Sequence, residues 1–332
     1  MKYYATGNVR NLPDENTRLW LFAGDFCRLA GSNHTRVRMP FIGEVSALVT
    51  AALWSGSAMV FSAATVRAGS LPVNVARLLL AALYLVVIIP LLGFGVRMTG
   101  TQVVYLAVSG VIGLAFGDSF LFLAFRELGP RITMLVMSTS PAVAALLAYF
   151  VLGETLSPYG IGGILVTLGG VAIVVLERSG GTRGPVAWRG IGNAALAAVG
   201  QGGGLIFAKL AFREGEINGF VATLVRILAS LLIMLPLGVA AARRSDAFRI
   251  LIADRRAFGL TALGALLGPF LGISFSLIAV AHTSVGIAAT IMATVPILML
   301  PLVHFVQKER LSWKAIAGAV IAVAGVAMLF TR

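Results

Sequence analysis

Ten stretches of nearly unbroken apolar sequence run along the chain, at 44–66, 72–93, 102–125, 130–152, 158–177, 188–211, 219–241, 257–280, 284–306 and 313–330. Each is near the length of about 20 residues that a helix needs to cross bilayer hydrocarbon. Short connections bearing Gly, Pro or Arg separate them, which makes consecutive helices antiparallel neighbours. The pattern predicts an all-α, polytopic membrane protein with ten transmembrane helices. Residues 1–40 differ, holding Pro13, Asp14, Glu15, Asp25 and five Arg. The apolar run there, Leu19 to Ala23, is too short for a secretory signal and Asp25 follows it. This stretch is read as a polar tail, or as translated sequence upstream of a start at Met39.

Composition agrees. Of 332 residues, 58% are hydrophobic and 12% charged, and mean hydropathy is +0.95, whereas soluble domains carry about 25% charged residues. One oversized soluble core is no alternative, because such cores stop growing at roughly 250–300 residues. The net charge of +13 comes mostly from Arg between the apolar runs, so lipid headgroups and topology explain it better than nucleic acid. Cys27 stands alone and His34, His282 and His304 supply the only imidazoles, so zinc clusters, multi-haem ligation and Cys relays are excluded. No metal and no cofactor is expected.

Shifting the chain by 155 residues superimposes its two halves. Gly113 meets Gly268, Gly117 meets Gly272, Ser119 meets Ser274, Phe120 meets Phe275, Met137 meets Met292, Thr139 meets Thr294 and Pro141 meets Pro296. The register runs on through Glu154 and Glu309, Ser157 and Ser312, and Gly170-Val171-Ala172 and Gly325-Val326-Ala327. Chance apolar similarity matches Ala, Val and Leu, but not Pro, Glu, Phe and Ser at one fixed offset. Two homologous halves result, 44–177 and 188–330. With five spans in each, an odd number, the second half is expected upside down relative to the first, the architecture of secondary transporters that alternate access.

The stretch from Gly110 through Pro141 and Glu154-Thr-Leu-Ser to Gly170, with its copy ending at Val326, resembles the two EamA domains of the drug/metabolite transporter superfamily. The Ala52-Leu53-Trp54 start of the first span, and the pair Arg77-Leu-Leu-Leu-Ala81 and Arg226-Ile-Leu-Ala-Ser230, add to it. The resemblance covers about residues 44–330. It implies a ten-helix bundle and export or uptake of small organic solutes, and leaves the substrate open.

Scarce polar groups inside the spans carry the candidate chemistry. Arg77, near the start of the second span, and Asp118, toward the end of the third, fall at similar depth and could pair. Asp118 is the one carboxylate deep in a span: either a structural ion-pair partner or the group that couples protons. Arg226 is the counterpart of Arg77, but the position matching Asp118 is Ile273. It either snorkels to headgroups or faces a cavity and attracts an anionic group on the substrate. Pro141 and Pro296 fall within the fourth and ninth spans and are expected to break them. Ser138, Thr139, Ser140 and Thr294 beside them satisfy freed carbonyls or meet substrate. Gln201, before Gly202-Gly203-Gly204, is read as an amide beside a flexible segment, and Trp54, Phe120 and Phe275 as an aromatic wall or ordinary core. Gly113-x-x-x-Gly117 and Gly264-x-x-x-Gly268-x-x-x-Gly272 are expected at close helix contacts. Ser157 and Ser312 are read as N-caps, with Glu154 and Glu309 in the same interfacial turns.

No G-x-x-x-x-G-K-[ST], H-E-x-x-H or G-x-S-x-G is present, which argues against direct ATP drive, an intramembrane protease and a lipase. The expectation is therefore no enzyme but a secondary-active transporter in a bacterial inner membrane, exporting an amino acid or related metabolite. An uptake permease and a membrane-embedded enzyme acting on lipid intermediates are the alternatives. Partners are a small-molecule substrate and membrane lipid, with no nucleic acid; proton coupling and a homodimer stay open. Loop charge, concentrated at Arg243–Arg256, favours an external N-terminus, whereas the resemblance implies cytoplasmic termini.

Overall fold

The computed structural model describes residues 41–152, 157–179, 187–283, 285–308 and 312–329; the N-terminal 1–40, Glu154 and Glu309 lie outside them. No strand occurs among the described residues. The spans are Ile42–Ala68, Ser70–Leu91, Gly100–Leu128, a divided fourth (Pro130–Met137 and Ser140–Leu152), Pro158–Ser179, Trp188–Arg213, Gly219–Ala242, Arg255–His282, a divided ninth (Val285–Met292 and Val295–Gln307) and Trp313–Leu329. Among the described residues nine are long and apolar enough to cross a bilayer, and the tenth is apolar but shorter. Leu83, Val86, Leu232 and Phe305 are among the large apolar side chains on the outside. Such a surface belongs in lipid, and helices satisfy their own backbone there.

The connections reflect local chemistry. A single glycine joins the first span to the second and another joins the third to the fourth, Gly69 at φ 86° and Gly129 at φ 76°. That left-handed backbone is open to glycine at little cost. Ser157 Oγ accepts from Gly160 N–H at 3.1 Å and Ser312 Oγ from Lys314 N–H at 3.0 Å, so both expected N-caps are in place. The Arg243–Arg256 segment is more ordered than a loop, since it contains a short helix, Ala247–Ala253. Asp254 then caps the eighth span, accepting from Arg256 N–H at 2.9 Å and Ala257 N–H at 3.1 Å.

Packing pairs the halves reciprocally. The first span lies on the eighth, and the sixth, its repeat counterpart, lies on the third, the counterpart of the eighth. The second packs on the seventh, the fourth on the sixth, the ninth on the first and the fifth on the tenth. Small residues set these approaches, as they must where lipid gives helices no hydrophobic reason to associate. A Cβ on Gly117 would stand 3.2 Å from Gly200 Cα. Ser109 Oγ donates to Gly204 O at 2.6 Å, tying the third span to the sixth. In the second half Gly264, Gly268 and Gly272 instead face Phe61, Ser57 and Trp54 of the first span. Gly202-Gly203-Gly204 is not a flexible segment: it lies within the continuous helix Trp188–Arg213, and Gly202 faces the Ser140 carbonyl where a Cβ would be 2.9 Å away.

The fourth and ninth spans break just before their prolines, at Ser138-Thr139 and Ala293-Thr294. Ser138 Oγ donates to Leu135 O at 2.6 Å, Thr139 Oγ1 to Val136 O at 2.7 Å and Thr294 Oγ1 to Ile291 O at 2.7 Å. These hydroxyls occupy carbonyls near the break, where the proline nitrogen cannot donate.

Candidate functional site

Backbone geometry aims Asp118. Residues Val111–Gly117 form a π-helical segment, and Asp118 N–H donates to Gly113 O, five residues back rather than four. The repeat places the same feature at Leu266–Gly272, where Ile273 N–H donates to Gly268 O. Such widened turns insert an extra residue and rotate the next helical turn, and they recur at functional sites. Both halves carry the device, but only the first carries the acid.

Asp118 is 3% exposed and has a donor at each oxygen. Arg77 Nη2 donates to its Oδ2 at 2.5 Å, and Gln201 Nε2 donates to its Oδ1 at 2.7 Å. Arg77 Nε donates to Asn74 Oδ1 at 2.9 Å, and Asn74 Nδ2 donates to Ser119 Oγ at 3.2 Å. The guanidinium also lies over the Phe122 ring, 4.8 Å from its centroid. The second, third and sixth spans thus meet at one charged network, which crosses from the first half into the second at Gln201. Burial of this kind is tolerated because every charge has a partner with good geometry.

A cavity of about 170 Å³ opens beside the network. Repeat-matched positions line it from both halves: Asp118 and Ile273, Leu121 and Ser276, Phe122 and Leu277, Met137 and Met292, Ser138 and Ala293, Pro141 and Pro296. Trp54, Arg77, Gln201 and Arg226 also line it. Arg226 does not snorkel; it is buried and turned to the cavity.

The structure therefore brings Trp54, Arg77, Asp118, Ser138, Gln201, Arg226, Pro141 and Pro296 to one place. It leaves Phe120, Thr139, Phe275 and Thr294 off the cavity wall. Phe120 packs on Phe116 at 4.9 Å and Phe275 on Phe220 at 6.5 Å between centroids. The reason is helical phase. Phe120 is two residues from Asp118 and so points away, whereas i+3, i+4 and i+7 share a face. Leu121, Phe122 and Phe125 stand at those spacings, and Ser57, Ala58 and Phe61 stand at the same spacings from Trp54. The aromatic wall is thus Trp54, Phe61, Phe122 and Phe125. Counting from Asp118 and Trp54 was the signal that pairing by repeat position missed. Asn74, a polar residue three before Arg77, was missed too.

Helices crossing a membrane in two repeats around one shared, mostly apolar cavity with a few charged groups define an integral membrane protein of the polytopic solute-handling type. The profile of the EamA-like transporter family matches residues 41–176 and 188–331, and the chain belongs to that family, a membrane transporter family of the drug/metabolite type. Among curated proteins none matches. Several solved structures match; one of them, a crystal structure titled only as that of a protein, does so with a TM-score of 0.60 at 19% identity. The match covers 86% of this chain and 97% of that one. At that identity the likeness shows a common fold.

Proposed function

We propose that the chain is a secondary-active transporter that moves a small organic solute by alternating access between two inverted five-helix halves. Its direction is export, and its solute is an amino acid or a related metabolite. One observation carries the reading: the cavity is lined at matching positions by both repeats, beside two broken helices. A site so placed can be closed from either face by rocking one half against the other. Five spans per half put the halves in opposite orientation. A helical bundle, rather than a β-barrel, suits the inner membrane of a bacterium.

Asp118 is the residue we assign to proton coupling. A proton taken up on one of its oxygens would remove the charge that holds Arg77 and turn that acceptor into a donor, loosening the contact among the second, third and sixth spans. Trp54, Ser138 and Gln201 contact the solute, and Pro141 and Pro296 mark the bends about which the spans move. The test is counterflow of a metabolite panel into liposomes holding the purified protein, at two imposed pH gradients. Flux of an amino acid or its relative, altered by the gradient in the wild type but not in Asp118→Asn, is expected. No flux of any solute would overturn the assignment.

A further inference from the structure

The charges of the cavity do not balance. Asp118 is met at both oxygens by Arg77 and Gln201, and Arg77 is met by Asp118, Asn74 and the Phe122 ring. Arg226 is different. It is 5% exposed, it lines the cavity, and its buried Nε has no hydrogen-bond partner among the described residues. Among the described residues Asp118 is the one opposite charge that acts on it, and Arg77 already binds that carboxylate; a guanidinium stays protonated, and burying a cation with no counter-ion of its own is unfavourable. With Asp118 ionised, the ionisable groups on the wall leave one positive charge uncompensated.

Glycines hold that charge in place. Gly110 meets the Arg226 backbone so closely that no Cβ fits there, and a Cβ on Gly113 would stand 3.2 Å from Arg226 Nη2 and 3.9 Å from Gln201 Oε1. The guanidinium therefore occupies a notch in the third span, on the same side as the Gln201 amide oxygen. Ser230 Oγ shares its one proton between Arg226 O at 2.7 Å and Gly110 O at 2.8 Å, tying the two spans at this point.

We infer that Arg226 anchors the anionic group of the solute, and that the site takes a small organic monoanion bound through its carboxylate. This rests on the transporter reading for what the site is used for. Trp54, Phe61, Phe122, Leu205 and Met292 receive an apolar body. Its size is set by the volume: a cavity of 170 Å³ compares with the roughly 150 Å³ apolar cavity that admits benzene. One ring or one branched chain fits. A free α-ammonium meets a wall whose ionisable groups, Arg77, Arg226 and Asp118, already sum to a positive charge, and whose one carboxylate is held by Arg77 and Gln201. Among amino acids and their relatives, the site selects the acids that lack the amine.

The experiment measures equilibrium binding by calorimetry to the full chain in lipid nanodiscs. The probes are 3-phenylpropionate and 4-methylvalerate, the matching amides, and phenylalanine and leucine. Each acid is expected to bind at least roughly tenfold tighter than its amide and its amino acid. Arg226→Gln removes that preference and Arg226→Lys keeps part of it. Equal affinity for acid and amide in the wild type, an unchanged preference in Arg226→Gln, or no binding of either acid up to about 10 mM overturns the inference. The comparison of acid with amide needs no variant, so misfolding cannot blunt it. Binding of the acids without counterflow leaves the anion site standing and removes the transport reading; counterflow of amides or amines with no binding of acids does the reverse.

Discussion

Replacing Asp118 by Asn tests the charged network through stability. The change keeps the shape of the side chain and removes its charge, leaving Arg77 buried at 4% exposure opposite a neutral amide. One Asn oxygen can accept from Arg77 or from Gln201, whereas the carboxylate serves both at 2.5 and 2.7 Å. Removing one member of a buried ion pair costs about 3–5 kcal/mol, because the partner's charge is left uncompensated. Phe122 beneath the guanidinium and Asn74 at its Nε retain part of the stabilisation of Arg77, which favours the lower end, about 3 kcal/mol. Arg77→Met alone strands Asp118 and is expected to cost a similar amount. The double variant removes both charges, so its cost falls short of the sum of the two by about 0.5–3 kcal/mol, the range for residues in one network. Steric trapping in bicelles measures the unfolding free energies. If the single costs add in the double variant to within about 0.5 kcal/mol, the pair is not coupled and the three spans do not share one network.

Other expectations come from the packing and the caps. Gly200→Ala places a Cβ 2.5 Å from Gly117 Cα, where backbone cannot yield, and should destabilise by about 1–3 kcal/mol; Gly192→Ala on the same helix meets nothing within 4 Å and should stabilise by about 0.5–1 kcal/mol in the same unfolding assay. The hydrogen bond from Arg67 at 2.7 Å holds the half-buried Asp254 carboxyl below the usual carboxylate range. Its folded-state pKa being depressed, the contact contributes above about pH 4 and is lost as pH falls below that. Asp254→Asn should flatten the acid dependence of the thermal midpoint between about pH 5 and about pH 3, and an unchanged slope counts against the contact.

Periodicity sufficed for the spans because a bilayer imposes one length on every helix, and the ten apolar runs and their observed boundaries differ by only a few residues. The Arg77 and Asp118 pairing was also legible, since antiparallel helices bring equal depths together. Side-chain azimuth was less so. Repeat matching linked Phe120 to Phe275, but matching says which positions are equivalent, not which face they share. The π-helical turns at Val111–Gly117 and Leu266–Gly272 leave no mark in the apolar pattern. Both contain glycines at close contacts, Gly117 against the Gly200 backbone and Gly268 and Gly272 against Phe61, Ser57 and Trp54. The expectation that Gly202-Gly203-Gly204 is flexible erred for the same reason: in a membrane bundle consecutive glycines serve close approach, with Ser140 and Gly113 as the surfaces approached.

Alternating access is the central claim, and a single thiol tests it most directly. Ser276 is buried on the cavity wall, and Cys27 is the chain's only cysteine. Ser276→Cys in a Cys27→Ser background gives one reporter within the cavity. A membrane-impermeant thiol reagent applied in turn to each face of oriented proteoliposomes is expected to label it from both faces, with bound solute slowing both reactions. Labelling from one face alone under every condition would contradict the account.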